Sequence, residues 1–337
     1  MVEILPPQPP ERLDAFMARA NAIYYATQDP FADFTTAPEI SQVFGEIIGL
    51  WAAVTWESLG SPSPVALVEA GPGRGTLMAD ARRAIGRAAP GFAAALRVHL
   101  IETSPRLRAA QAARLPDAIW HADLSTVPTG PMILLGNEFL DALPIRQFVR
   151  RGEGWTERFV ASGQWVERAA DAACVPPDRA AAEGDIVELN EAARAFVAAV
   201  SARLTGHPGA ALFLDYGPER SAAGDSLQAL AKKRPVDPLV QAGSADLTAH
   251  VDFADLALVA RAGGAQVQGP IPQGVFLTAL GLFQRTEILM RGRSTADAAA
   301  LIEAARRLAE PAAMGDLFKA IALCSAGCPA LPGLPPP

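Results

Sequence analysis

Three cysteines in 337 residues, Cys174, Cys324 and Cys328, are too few for a disulfide framework or a four-thiolate zinc site. Basic residues are in deficit: 29 Lys and Arg against 36 Asp and Glu give a formal charge of −7. The positive face that non-specific nucleic-acid binding needs is therefore missing, and no nucleic-acid partner is expected. Charged residues are only 19% of the chain against 50% hydrophobic ones, the balance of a globular rather than a disordered protein. No apolar run approaches the roughly 18–20 residues of a membrane-spanning helix, so no integral membrane segment is expected. The opening MVEILPPQPP has no basic region followed by an apolar core, so a secretory signal is not expected and a cytoplasmic location is the default. Internal repeats are absent. A domain takes roughly 100–200 residues, which leaves one large or two smaller domains.

What is present is a series of short apolar runs, each ending in a polar residue. Val65-Ala-Leu-Val-Glu69, Arg97-Val-His-Leu-Ile-Glu102, Ala118-Ile-Trp-His-Ala-Asp123, Met132-Ile-Leu-Leu-Gly-Asn137-Glu138 and Ala211-Leu-Phe-Leu-Asp215 follow this form. Continuous runs this short read as strands buried on both faces of a parallel sheet. Helices are expected over Thr76 to Ala95 and Pro105 to Leu115, giving a β-α-β-α-β order and a doubly wound α/β sheet. Ligands of such sheets bind beyond the carboxyl ends of the strands. Polar strand ends also serve as helix caps and turn formers, and both readings stand for each residue.

Ahead of the sheet, Thr36-Ala-Pro-Glu39 has the spacing of a capping box, with Thr36 as N-cap. Ile40, Val43, Phe44, Ile47, Ile48 and Trp51 continue it as one apolar helical stripe. After the fourth strand a hairpin is expected over Arg146 to Val166, turning at Gly152-Glu-Gly154. A Pro-rich loop at Val175-Pro-Pro177 and a helix near Asn190–Leu204 follow. A second insertion runs from Tyr216 to Gly264 and holds Gly224 to Leu230, Asp246 to Phe253 and a helix to about Ala262. Loops this long commonly cover a site. Gln266–Gln268 and Leu317–Cys324 are candidate final strands, and Pro329–Pro337 is expected to fray.

Glu69-Ala-Gly-Pro-Gly-Arg-Gly-Thr76 follows the first strand and opens a helix. Its glycines permit a tight turn close to a ligand, and the helix start offers free N–H groups. The nicotinamide fingerprint G-x-G-x-x-G fits at Gly71 and Gly73 but meets Thr76 at its sixth position. The (D/E)-x-G-x-G-x-G turn of S-adenosylmethionine (SAM) methyltransferases fits at Glu69, Gly71, Gly73 and Gly75. An acid here suits the cationic sulfonium and amino groups of SAM and would repel a pyrophosphate. Glu102 is placed to accept ribose hydroxyls and Asp123 the adenine amino group. Asn137, Glu138 and Asp141, after the fourth strand, are the candidates to face the acceptor. A guanidinium acceptor, planar and permanently charged, would need carboxylates to anchor it.

These strings resemble the MidA-type family, whose mitochondrial members assist respiratory complex I assembly. The resemblance includes Tyr24-Tyr25, Asp33 to Ser41, Phe44-Gly45, Glu69 to Leu77, Glu102 to Pro105, Asn137 to Pro144, Asp215-Tyr-Gly217 and Asp246 to Phe253. It implies a class I SAM-dependent methyltransferase fold and protein arginine N-methylation, with a subunit of the NADH dehydrogenase as protein substrate. On this reading the cofactor set is Glu69, Gly71, Pro72, Gly73, Gly75, Thr76, Glu102, Thr103, Ser104, Asp123, Leu124 and Thr36. Asp33, Thr35, Thr36 and Glu39 are candidates for the acceptor side. Relative to the family, the stretch between Tyr25 and Asp33 is compressed.

The chain then divides into an N-terminal helical segment (1–60), a Rossmann-like core (61–137 and 205–325), an insertion (138–204) that with 217–255 caps the acceptor, and a tail (326–337). No metal is expected: His250 between Asp246 and Asp252 matches no ligand spacing, and Asp252 reads as an N-cap. Cys324 and Cys328 read as buried thiols, and the five tryptophans as packing residues. Other readings remain: a methyltransferase for a different acceptor, a non-catalytic assembly factor that keeps the SAM site and, more distantly, a nicotinamide oxidoreductase.

Overall fold

The structure, a computed structural model, describes residues 9–28, 31, 35–171, 174, 181–239 and 242–336. Asp33 and the Val175–Pro177 loop lie outside them. In chain order the strands are β1 (Glu11–Arg12), β2 (Val65–Ala70), β3 (Leu96–Ile101), β4 (Ile119–His121), β5 (Met132–Asn137), β6 (Arg146–Arg151), β7 (Gly154–Ala161) and β8 (Gln164–Ala169). They continue as β9 (Ile186–Leu189), β10 (Gly209–Tyr216), β11 (Gln228–Ala231), β12 (Arg234–Val236), β13 (Asp246–Thr248), β14 (Gln266–Pro272) and β15 (Phe318–Cys324). The chain divides into two compact units.

The larger unit comprises Thr35–Leu140, Ala195–Arg220 and Asp252–Pro337. Its seven-stranded sheet has the order β14-β15-β10-β5-β2-β3-β4. β4, β3, β2, β5 and β10 are parallel neighbours, and β15 runs antiparallel between β10 and β14. The order reverses at β2, whose two neighbours are β3 and β5. The crevice beyond its carboxyl end is therefore the topological switch point. The five strands expected from the sequence all form; β2, β3, β5 and β10 are largely buried, as befits parallel strands covered on both faces, while β4 is a short edge strand with Ile119 exposed.

One face carries the helix Gln42–Ser58, which lays Val43, Phe44, Ile47, Ile48 and Trp51 into the core. It crosses the helix Thr76–Ala88 at Gly45 and Gly49, where a Cβ would come within 2.7 Å of Asp80 Cβ and 2.6 Å of Ala81 Cα. Only hydrogen at these positions allows that approach. The expected helix from Thr76 to Ala95 is instead two, Thr76–Ala88 and Pro90–Ala95, because Pro90 disfavours helical geometry at Ala89. Three helices not expected from the sequence, Gln273–Ala279, Leu282–Met290 and Thr295–Ala309, fill the stretch between β14 and β15. The tail is not frayed: Leu331 and Leu334 are buried, and Gln268 holds Pro329 O and the Leu331 N–H.

The smaller unit comprises the described residues of Met1–Phe34, Asp141–Arg194 and Ser221–Val251. The expected hairpin is there, β6 against β7 with Arg151 opposite Gly154, and it extends into a five-stranded antiparallel sheet. β1 joins this sheet through β7, and the helix Leu13–Thr27 buries Leu13, Phe16, Met17 and Ala20 in the same cluster as Ile145 and Val160. The stretch 1–60 is thus shared between the two units. β12, β11 and β13 form a three-stranded sheet that periodicity did not reveal. In the larger unit, Asp252 caps the helix Phe253–Ala262 as expected, accepting the Asp255 N–H at 3.0 Å. Cys324 and Cys328 are free, buried thiols.

Among the described residues no helix is long and apolar enough to cross a membrane, and no group of three His, Cys, Asp or Glu is arranged to hold a metal.

Candidate functional site

The glycine turn leaves β2 with Gly71, Gly73 and Gly75 all at positive φ (66°, 52° and 75°). A Cβ on Gly71 would lie 2.9 Å from the Phe139 ring, so both conformation and space demand glycine. Gly75 is the N-cap of the helix Thr76–Ala88 and has no side chain to cap it. Glu69 stands behind this helix start, where the Met78 N–H draws its carboxyl down against the larger effect of burial. Its Oε2 is buried with no partner among the described residues. Burial without a countercharge pushes the Glu69 carboxyl up to about 8.

Beside it, at the end of β3, Glu102 accepts the Ser104 N–H at 2.7 Å through Oε1 and the Gln111 amide at 3.2 Å through Oε2. Burial raises its carboxyl above the usual range, against the opposing pull of those hydrogen bonds. Ser104 caps the helix Pro105–Arg114, accepting the Leu107 N–H, while Thr103 is exposed. Asp123 is exposed and caps the short turn Leu124–Thr126: its Oδ1 accepts the Ser125 N–H at 2.8 Å and the Ser125 hydroxyl. Those bonds hold its carboxyl below the usual range. Leu124 is buried behind it, and the Leu124 and Val127 carbonyls are held by Arg203 at 2.7 Å each.

On the other side, β5 ends at Asn137, whose Nδ2 donates to Glu138 Oε1 at 3.1 Å. A carboxylate oxygen only accepts, so this bond fixes the amide orientation. Asn137 Oδ1 faces away, buried and with no partner among the described residues. Glu138 itself sits at φ 49°. Its Oε1 also accepts the Ala37 N–H at 2.9 Å. The carboxylate at the end of β10, Asp215, is structural: Oδ2 accepts the N–H groups of Phe139 and Leu140 at 3.1 and 2.8 Å.

The capping box expected at Thr36 and Glu39 does not form. Thr36 is the N-cap of a short helix, Ala37–Ile40, but its hydroxyl makes no capping bond. The Glu39 carboxylate leaves the box because it accepts the Thr76 hydroxyl at 2.5 Å. Thr76 in turn accepts from Arg114. The long helix is capped separately, Ser41 accepting the Val43 N–H at 3.2 Å.

Asp141 lies in the smaller unit, buried, with its carbonyl accepting the Ala249 N–H at 2.9 Å. In that same unit the Tyr25 hydroxyl donates to Asp246 Oδ1 at 2.8 Å. Burial and the charges of Asp246 and Asp141 lift the Tyr25 phenol well above its ordinary value. His250 is exposed, and its backbone N–H donates to Ser226 Oγ and so anchors the loop.

Two groups at the site carry no signal in the sequence. Gln111, fully buried on the helix Pro105–Arg114, joins Gly73 O, Glu102 and Trp120. Arg108 donates to the carbonyls of Glu102 and His121, at 2.7 and 3.1 Å, and so ties the ends of β3 and β4. Neither stands in a motif; both lie on the helix that follows Glu102, the one local hint to them.

The residues present fit SAM. A buried carboxylate lacking a countercharge suits the cationic sulfonium and ammonium, and Glu102 retains lone pairs for hydroxyl donors. A pyrophosphate set between Glu69 and Glu102 would be repelled.

Comparison with known proteins agrees. The family described as "Putative S-adenosyl-L-methionine-dependent methyltransferase" matches residues 47–271, a stretch that includes the glycine turn, Glu102 and Asn137. The Drosophila melanogaster "Protein arginine methyltransferase NDUFAF7 homolog, mitochondrial" is 32% identical over 353 residues, covering 93% of this chain and 80% of that one. The Mus musculus "Protein arginine methyltransferase NDUFAF7, mitochondrial" is 33% identical, covering 89% and 77%. A Burkholderia thailandensis structure, a "likely methyl transferase" bound to S-adenosyl-homocysteine, superposes with a TM-score of 0.78 at 27% identity, covering 96% of this chain and 90% of that one.

Proposed function

The chain belongs to this S-adenosyl-L-methionine-dependent methyltransferase family, with its class I fold and its cofactor, and from that premise we propose that it methylates protein arginine, with a subunit of the respiratory NADH dehydrogenase as target. The observation that carries the reading is the oriented amide of Asn137, whose buried Oδ1 is an acceptor with no partner among the described residues. A guanidinium is donor-only, so what it needs from the protein is acceptor oxygens. The names of the fly and mouse relatives support arginine as the acceptor, and the MidA-type resemblance supports the complex I target.

When bound, SAM supplies a methyl group on a sulfonium, open to in-line attack by nitrogen. The chain's own residues do the positioning, which is most of such catalysis. Glu69 provides the negative charge facing the donor, and Glu102 holds its nucleoside. Asn137 accepts a hydrogen bond from the attacking nitrogen, which gives up one proton to solvent as its bond to the methyl carbon forms and the sulfur–methyl bond breaks. Glu138 orients Asn137 and is a positioning residue in this reading.

The test is mass spectrometry of a native NADH dehydrogenase preparation incubated with the protein and SAM. Methyl mass on an arginine of one subunit is the expected result. Transfer to another residue type or to small molecules, or to none of the subunits, would overturn the assignment.

A further inference from the structure

Gln111 sits on the helix Pro105–Arg114 and is completely buried. A buried primary amide is costly unless its donors and its acceptor are used. Here all are. Trp120 Nε1 donates to Gln111 Oε1 at 2.8 Å, and Gln111 Nε2 donates to Gly73 O at 2.7 Å and to Glu102 Oε2 at 3.2 Å. An indole nitrogen can only donate, so the amide carbonyl must face Trp120 and both amide hydrogens must face the turn and the carboxylate. One side chain therefore joins the glycine turn after β2, the acid at the end of β3, and β4.

The consequence falls on Glu102. Its Oε1 takes the Ser104 N–H and its Oε2 takes Gln111. The plane of the carboxylate is thus set from both sides, with Gln111 holding the Oε2 side. Two oxygens in a fixed plane match two vicinal hydroxyls. We propose that Gln111 is a positioning residue for cofactor recognition: it fixes the Glu102 carboxylate relative to the glycine turn, so that the chain selects ribose over deoxyribose in the nucleoside of its cofactor. This rests on the S-adenosyl cofactor alone and is independent of the acceptor.

The experiment is titration calorimetry of the full chain with S-adenosyl-homocysteine and with its 2′-deoxy counterpart. In Gln111→Leu, affinity for the ribose form should fall about tenfold, as for one hydrogen bond to a charged group, and affinity for the deoxy form by less than roughly threefold. Trp120→Phe frees the amide to turn over, and should produce the same selective loss at smaller size. Circular dichroism melts of both variants report folding separately. Equal losses for the two ligands would assign Gln111 a purely structural role and overturn the proposal, as would unchanged discrimination. If Gln111→Leu does not fold, Trp120→Phe decides the matter by the same criterion.

Discussion

The carboxylate of Glu138 caps a helix that begins 101 residues before it, accepting the Ala37 N–H at 2.9 Å. The helix Ala37–Ile40 has no cap from its own Thr36 hydroxyl. Two residues on, Glu39 takes the Thr76 hydroxyl at the start of the helix that follows the glycine turn. The segment from Thr36 to Ser41 is thus fastened both to the turn and to the end of β5. Glu138 adopts φ 49° to make its bond, an unusual conformation for a residue with a side chain, held by the contacts around it.

Glu138→Ala should therefore act through position rather than through lost nucleophilicity or basicity. The loss of a charge-assisted bond predicts a drop of about 10- to 100-fold in kcat/KM. Glu138→Gln, which keeps an acceptor oxygen, should recover much of it. Initial rates of methyl transfer from labelled SAM distinguish the two; equal losses would show that the charge itself is required.

Glu69 gives a pH dependence with a definite sign. Its carboxyl is raised from 4.5 to about 8 in the folded chain. The folded state holds the proton more tightly, so this group's stabilising contribution is complete below pH 4.5 and is lost as pH rises toward 8. Glu69→Gln keeps an acceptor for the Met78 N–H and removes the penalty. The ligand-free variant should melt higher than the parent at about pH 8 and at much the same temperature at about pH 4.5. It should bind S-adenosyl-homocysteine more weakly. In the parent, binding at about pH 7 should release a proton, detectable by calorimetry in buffers of different ionisation enthalpy.

Glu46 lies buried on the helix Gln42–Ser58, between Arg285 at 2.7 Å and Arg83 at 3.3 Å. Burial pushes its carboxyl up, but the two guanidinium groups outweigh this and its value ends below the usual 4.5. The stabilisation is present above that pH and fades as pH falls through the lowered value. Arg285→Met should cost about 2 kcal/mol at about pH 7, since Arg83 remains as a partner. The cost should shrink toward zero in strong acid, and denaturant titration at both pH values measures the difference.

Gly71→Ala meets two obstacles, a φ of 66° and the Phe139 ring 2.9 Å from the new Cβ. The left-handed conformation alone costs about 1–2 kcal/mol. Displacement of the turn should abolish measurable binding of S-adenosyl-homocysteine while the chain still folds. Retained affinity in calorimetry would show that the turn adapts.

Much of this was legible along the chain. The strands of the parallel sheet announced themselves because burial on both faces leaves short, unbroken apolar runs. The turn from Glu69 to Thr76 was legible because positive φ selects glycine wherever it occurs. The cap at Asp252 was legible for a similar reason, since it satisfies a helix terminus a few residues away. The helix Thr295–Ala309 carries a local start signal as well, Ser294 accepting the Asp297 N–H, but its alanine-rich run lacks the apolar stripe that marks a core helix. The three-stranded sheet of β11, β12 and β13 offered no such signal, its strands being only three or four residues long.

The chain's sequence by itself determined the sheet, the glycine turn and the acids at the strand ends, because periodicity, backbone conformation and local capping depend on near neighbours. Tertiary structure alone decided what those acids do. Asp215 became a brace for Phe139 and Leu140, Glu39 left its own helix for Thr76, and Gln111 joined the turn after β2, the acid after β3 and Trp120 of β4. A buried hydrogen-bonding group takes whatever partner the fold brings within about 3 Å, and that partner can lie anywhere along the chain.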